Sequence, residues 1–237
     1  MPPPPECPLR VAIIAPSWVG DVVMATPALR RIRSALPGAT LALVHKPGIA
    51  GVVEGFDRPV DSGGLGLVDE LVPSHPGGVM GHKHTAAKLR HKQFDTALLL
   101  TNSFSTALTA RMAGIPRRLG YDRDGRGLLL THKLRAPKHQ GSWAIVPAVD
   151  YYWHAAGALV AKPSGSVDAD LAPANDQGDH RLPKDAYLEL AVSDADRAKA
   201  DELLRDAGIG DAPFAVINPG GNNPAKRWPA DRFAELA

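Results

Sequence analysis

Apolar residues recur along this chain in two alternating rhythms. Short runs of Val, Ile, Leu and Ala fall at residues 11–15, 41–45 and 96–100, with a similar run opened by Phe at 214–218. Between them lie stretches with apolar positions every three or four residues. Continuous short apolar runs read as strands covered on both faces, and the longer spacing reads as amphipathic helix. Their alternation predicts an α/β fold built on a largely parallel sheet. Residues 68–74 (VDELVPS) predict a further short strand within a Gly- and Pro-bearing stretch, and residues 83–92 a basic helix.

The first strand runs into the turn APSWVGD, which presents Ser17, Trp18, Gly20 and Asp21. In a parallel sheet this turn lies at the carboxyl end of the strand, where open α/β sheets bind their ligands. Asp21 is the leading candidate for chemistry. Beyond it Val22, Ala25, Leu29, Ile32 and Leu36 supply one helical face. Thr26 and Pro27 read as the N-cap and first position of that helix, which leaves residues 16–25 as an irregular loop with peptide N–H groups near Gly20 open to an oxygen ligand. A longer helix kinked at Pro27 is the alternative. In both arrangements Asp21 stands near a helix start, where an acidic side chain also serves as a cap.

Composition shifts mark the domain organisation. Residues 1–10 (MPPPPECPLR) form a Pro-rich tail expected to be disordered. Residues 11–185 form an α/β domain ending in a polar linker that begins near Ala161. Residues 186–237 supply a helix and then the strand, loop and helix that would open a second domain. Within them Ser193 and Asp196 are spaced as a capping box, and Gly208 ends the helix. FAVINPGG, NNPAKRWP and DRFAELA repeat the strand, loop, helix order of the amino terminus. One strand and one helix do not make a doubly wound layer, so the second domain is expected to be incomplete; residues packed as an appendage on the first domain are the other arrangement.

The 237 residues are 44% hydrophobic and 22% charged, with a formal net charge of +2. That balance belongs to a soluble globular protein and is too mild for a nucleic-acid binder by charge alone. Cys7 is the single cysteine, which excludes an intrachain disulfide and fits a reducing, cytoplasmic compartment. No apolar run approaches the roughly 20 residues of a spanning helix. His82, His84 and His91 have no Cys or carboxylate pattern to complete a metal site, so no metal is expected. His154 falls on a predicted helix with Tyr151 and Leu159 and reads as a packed or surface residue. The first turn lacks G-x-G-x-x-G, which weighs against a nucleotide-dependent oxidoreductase.

Three separated segments, PSWVGDVVMATPALRRIRSALPGA, LLLTNSFSTALTARMAGIPRRLGY and NPGGNNPAKRWP, together resemble glycosyltransferase family 9. The resemblance implies a GT-B architecture of two Rossmann-like domains facing a cleft. It further implies inverting, metal-independent transfer of heptose from ADP-heptose to the inner core of lipopolysaccharide. No cofactor beyond the donor is expected. The implied partners are the nucleotide sugar and a lipid A-core acceptor met at the inner membrane by peripheral contact, with the enzyme a monomer.

By the same resemblance Asp21 is the base or the group that orients the acceptor. Ser17, Trp18, Gly20, Asn102, Ser103 and Arg118 are acceptor-binding, and Gly220, Gly221, Asn222 and Lys226 hold the donor phosphates. Read as residues alone, Asn102 and Ser103 serve equally as helix caps, the arginines at 117, 118, 123 and 126 as a solvated loop, and Lys226 as a surface cation. The family's D-S/T-G-x-x-H motif is absent from these residues, so a non-catalytic acceptor-binding fragment stands beside the enzyme as an expectation.

Overall fold

A computed structural model describes residues 8–75, 77–136, 138–139, 142–161, 169–170, 181–209, 213–218 and 227–236. The chain divides into two compact units, Met1–Val192 and Ser193–Ala237.

In the first unit β1 (Arg10–Ile14) leads through α1 (Val19–Met24) and α2 (Thr26–Ala35) to β2 (Thr40–His45). The short α3 (Ala50–Val53) precedes β3 (Glu70–Pro73), and α4 (Gly78–His91) precedes β4 (Thr96–Leu99). Then come α5 (Phe104–Met112), β5 (Arg117–Tyr121) and β6 (His132–Arg135), a small antiparallel pair β7 (Lys138–His139) and β8 (Ser142–Trp143), α6 (Ala148–Ala161) and β9 (Ala169–Asp170). The main sheet runs β3-β2-β1-β4-β5-β6-β9 with every pairing parallel.

That order is the doubly wound one. The chain adds β2 and β3 on one side of β1, then returns to place β4 on the other, so the loops after β1 and β4 part to opposite faces and leave a crevice. Successive strand residues point to opposite faces. Val11, Ile13, Leu41, Leu43 and Leu98 join α2 and α6 in one apolar cluster. Ala12, Ile14, Ala42, Val44 and Leu99 pack with α4 and α5 in the other. Burial on both faces is why these strands read as unbroken apolar runs.

The segment after β1 departs from expectation. Residues 19–24 are helical, so the loop predicted over 16–25 is confined to its first positions. Thr26 is not an N-cap: α1 and α2 abut at Ala25, whose N–H donates to the Asp21 carbonyl. Pro27 has no N–H for the carbonyl four residues back, that of Val23, and the Thr26 hydroxyl donates to it instead at 2.8 Å. Helix thus stands on both sides of Ala25, with the break two residues before Pro27.

Residues 186–192 belong with the first unit rather than with the second. The Glu189 N–H donates to Thr26 Oγ1 at 2.9 Å, and its carboxylate takes both Nε and Nη2 of Arg30. That bidentate contact holds the Arg30 guanidinium above its ordinary pKa.

In the second unit α7 (Asp194–Asp206) starts with the expected capping box between Ser193 and Asp196, and Gly208 follows at φ +69°, a conformation that glycine adopts without strain. The strand predicted at 214–218 is a correction: these residues carry no strand pairing, and Phe214 and Val216 are exposed. An apolar run becomes a strand only where a neighbouring strand takes up its N–H and C=O groups. The last described element is α8 (Ala230–Leu236).

Candidate active site

A pocket of about 450 Å³ opens at the carboxyl ends of β1 and β4, at the crevice where the strand order reverses. Ser17, Trp18 and Asp21 line it from the β1 side, Asn102 and Ser103 from the β4 side. Thus five residues chosen from sequence meet in one cavity. Gly20 sits in the first turn of α1 and is exposed, outside that lining. Arg118 is placed elsewhere, because β5 starts at Arg117 and its amino end lies at the opposite edge of the sheet. Its guanidinium is taken up by the carbonyls of Ile115, Pro116 and Leu129. Gly220, Gly221, Asn222 and Lys226 lie outside the described residues.

Asp21 is the third residue of α1, and no side chain caps that helix. The carboxylate instead receives the Tyr152 hydroxyl on Oδ1 at 3.3 Å, a long bond, and Oδ2 has no hydrogen-bond donor among the described residues. Burial, reinforced by the Asp21 charge, raises the Tyr152 phenol above its ordinary range, so it remains a proton donor at neutral pH.

Asn102 is held differently. Its Oδ1 accepts from Tyr151 Oη at 2.9 Å and from Arg126 Nη2 at 3.1 Å. Both partners are donors, which fixes the orientation of the amide. The Nδ2 group, with no acceptor among the described residues, is therefore the one left for a ligand oxygen.

Arg126 is completely buried. Besides Asn102 it donates to the carbonyls of Tyr121 and Thr101, and burial pulls its pKa down to about 10. Tyr121 stacks on Tyr151 with ring centroids 3.7 Å apart, and donates to the Tyr151 carbonyl at 2.8 Å. Its hydroxyl proton is thereby used, so His154 Nδ1, 2.9 Å away, is the donor to it. His154 is a packed residue of this scaffold.

The arginine segment read as a solvated loop is thus mostly structural. Arg117 and Arg126 are buried, and only Arg123 reaches the pocket, its guanidinium 4.8 Å from the Trp143 ring centroid. Arg123 and Arg126 belong to the arginine segment that the sequence reading names, whereas Tyr151 and Tyr152 are site residues that it does not single out. Their one signal was the Tyr-Tyr pair inside a helical pattern, since two neighbouring aromatics point more than a quarter turn apart and only one can face a core squarely. Among the described residues no group of three or more His, Cys, Asp or Glu is arranged to hold a metal ion. No helix there is long and apolar enough to cross a membrane.

Residues 83–237 match the sequence model of glycosyltransferase family 9 (heptosyltransferase). The chain belongs to this family. Among curated relatives of this glycosyltransferase family 9 chain, lipopolysaccharide heptosyltransferase 2 of Escherichia coli (strain K12) is 27% identical over 239 residues, which cover 97% of the chain and 59% of the relative. Lipooligosaccharide heptosyltransferase 2 of Haemophilus influenzae (strain Rd) is 26% identical, with 97% and 60% covered.

The solved structure of E. coli ADP-heptose lipopolysaccharide heptosyltransferase II superposes with a TM-score of 0.65 at 25% identity, over 96% of this chain and 60% of that one. A family 9 glycosyltransferase from Veillonella parvula gives 0.70 at 22% identity over 96% and 58%, a likeness of fold. The architecture is that of the GT-B heptosyltransferases, and the chain spans about 60% of the length of the relatives it matches.

Proposed function

We propose that this chain provides the acceptor-binding part of an inverting heptosyltransferase, with Asp21 as the general base. ADP-heptose is the proposed donor and the inner core of lipopolysaccharide the acceptor, as the names of the relatives suggest. The observation that carries the reading is the pairing across one pocket of a carboxylate oxygen on Asp21 and an amide N–H on Asn102 that have no hydrogen-bond partner among the described residues. An acceptor sugar hydroxyl gives its proton to the first while a neighbouring ring oxygen takes a hydrogen bond from the second.

In the proposed reaction the deprotonating hydroxyl oxygen forms its bond to the anomeric carbon as the bond from that carbon to the diphosphate breaks. The electron pair leaves with ADP, and the proton goes to Asp21. No metal enters this step. The departing charge is met by backbone N–H groups and by cations, among which we place Lys226. Trp18, 62% exposed at the pocket rim, offers a ring face to the sugar. Arg123 supplies the cation for an acidic group on the acceptor.

The test begins with isothermal titration of the chain with lipid-free inner-core oligosaccharide, in parallel with ADP-heptose. Saturable binding of the oligosaccharide is expected. A folded chain that ignores it overturns the acceptor assignment. In a preparation that transfers heptose, Asp21→Asn is expected to lower the rate by about 10²–10⁴-fold with the donor KM nearly unchanged, the range of positioned acid–base groups. A near-wild-type rate removes Asp21 from the chemistry.

A further inference from the structure

On the opposite face of the sheet, a second pocket of about 490 Å³ lies at the carboxyl ends of β1, β2 and β4, and it shares Ser17, Thr101 and Ser103 with the Asp21 pocket. The two cavities are neighbours across one wall. No Asp or Glu lines the second one, and two of its side chains, His45 and His82, come from elements that contribute nothing to the first. Resting on the acceptor reading above, we propose that this second pocket is a subsite for the neutral, polyhydroxylated part of the sugar unit next to the reacting one.

His45 is buried, and its Nδ1 lies 3.0 Å from the Lys46 carbonyl, which only accepts, so Nδ1 carries the hydrogen. His82 Nδ1 lies 2.9 Å from Thr109 Oγ1, whose own proton is donated to the Ser105 carbonyl; here too Nδ1 carries the hydrogen. In the uncharged ring that leaves Nε2 of both histidines as an acceptor. The hydroxyl wall is similarly committed. Thr106 donates to the Ser103 carbonyl, so in its 2.8 Å contact with Thr101 the Thr101 hydroxyl must be the donor.

The surface therefore presents lone pairs and has used up most of its hydroxyl protons. It suits a ligand that brings donors, and a sugar's hydroxyls are donors in the right number. An anion finds the exposed Lys46 ammonium and the uncapped N–H groups that open α4 at Gly78 on one side, but two imidazole lone pairs on the other. His75 lines the pocket as well, but among the described residues no group of three or more His, Cys, Asp or Glu is arranged to hold a metal ion.

The test reads the rings directly. Long-range proton–nitrogen spectra of the labelled full chain, titrated with lipid-free inner-core oligosaccharide, are expected to move the Nε2 signals of His45 and His82 in the same saturable step as the Trp18 indole. Trp18 moving while both histidines stay still overturns the subsite and leaves the acceptor reading intact. No movement anywhere overturns both.

His82→Leu is expected to weaken binding by about five-fold, the loss of one hydrogen bond. His82→Gln, which can place an acceptor near the Nε2 position, is expected to recover part of it. Equal loss in both variants assigns His82 to packing and counts against the proposal. Inorganic phosphate supplies the opposing arm: if it shifts the two rings as strongly as the oligosaccharide, the pocket is an anion site and the proposal fails.

Discussion

Asn102 and Asp21 stand on the segments that follow the adjacent strands β4 and β1 and face the same cavity, yet they are held in opposite ways. The Asn102 carbonyl oxygen is gripped by Tyr151 and by a wholly buried arginine that also fastens Tyr121 and Thr101. Asp21 receives one hydrogen bond, and that one is 3.3 Å long. A group that must bind a ligand in a set direction gains from being locked before the ligand arrives. A group that must accept a proton needs a lone pair that nothing else occupies. In the proposed function the stiff wall positions the acceptor and the open wall takes its proton.

The sharpest way to break this comparison is to remove Arg126. Arg126→Met is expected to cost about 3 kcal/mol in urea unfolding, because three acceptors around the buried guanidinium each lose a charged donor at once. Loss within about 1 kcal/mol would mean that Asn102 needs no such support. Next is the alkaline limb of stability. Burial raises Tyr121, Tyr151 and Tyr152 above the usual phenol value, so folding binds their protons more tightly than the unfolded chain does.

That stabilisation is complete below about pH 10 and is lost as pH climbs through the raised values, opposed by the lowered Arg126, whose charge becomes less costly over the same range. The urea midpoint is expected to fall above about pH 10, and less steeply in Tyr121→Phe. An unchanged slope in that variant would place the titration elsewhere. The smallest effect is expected from Tyr152→Phe, which removes only the long bond to Asp21: stability within about 1 kcal/mol of wild type. A larger loss would show the Asp21 wall to be as firmly built as its neighbour.

The parts legible in the sequence are those whose physics is local. Continuous apolar runs announced β1, β2 and β4, and the turn after β1 drew attention to Asp21 because strand ends face ligands in this kind of sheet. Ser193 and Asp196 declared their capping box for the same reason: both partners lie within one turn. What stayed hidden depends on partners distant in the chain.

Arg126 looked like a surface cation among aspartates, since nothing near it in sequence shows that Thr101 and Asn102 will surround it. The same holds for Arg118, which a short-range reading sends to solvent and the fold sends to three carbonyls. The run at 214–218 erred in the other direction, carrying a strand's composition with no strand beside it among the described residues. Thr26 before Pro27 has the letters of a helix start, and only the Val23 carbonyl explains why it is a joint.

That joint reaches further than the helix it mends. The Glu189 N–H donates to the Thr26 hydroxyl, which donates to the Val23 carbonyl, so a short relay fastens residue 189 to a residue 163 positions earlier. Such a contact adds nothing until the sheet between has assembled, because the entropy of closing so long a loop is spent before the bond rewards it. The clasp beside the Asp21 helix is thus expected to close late in folding, fixing the geometry of the turn after the strands beneath it have paired.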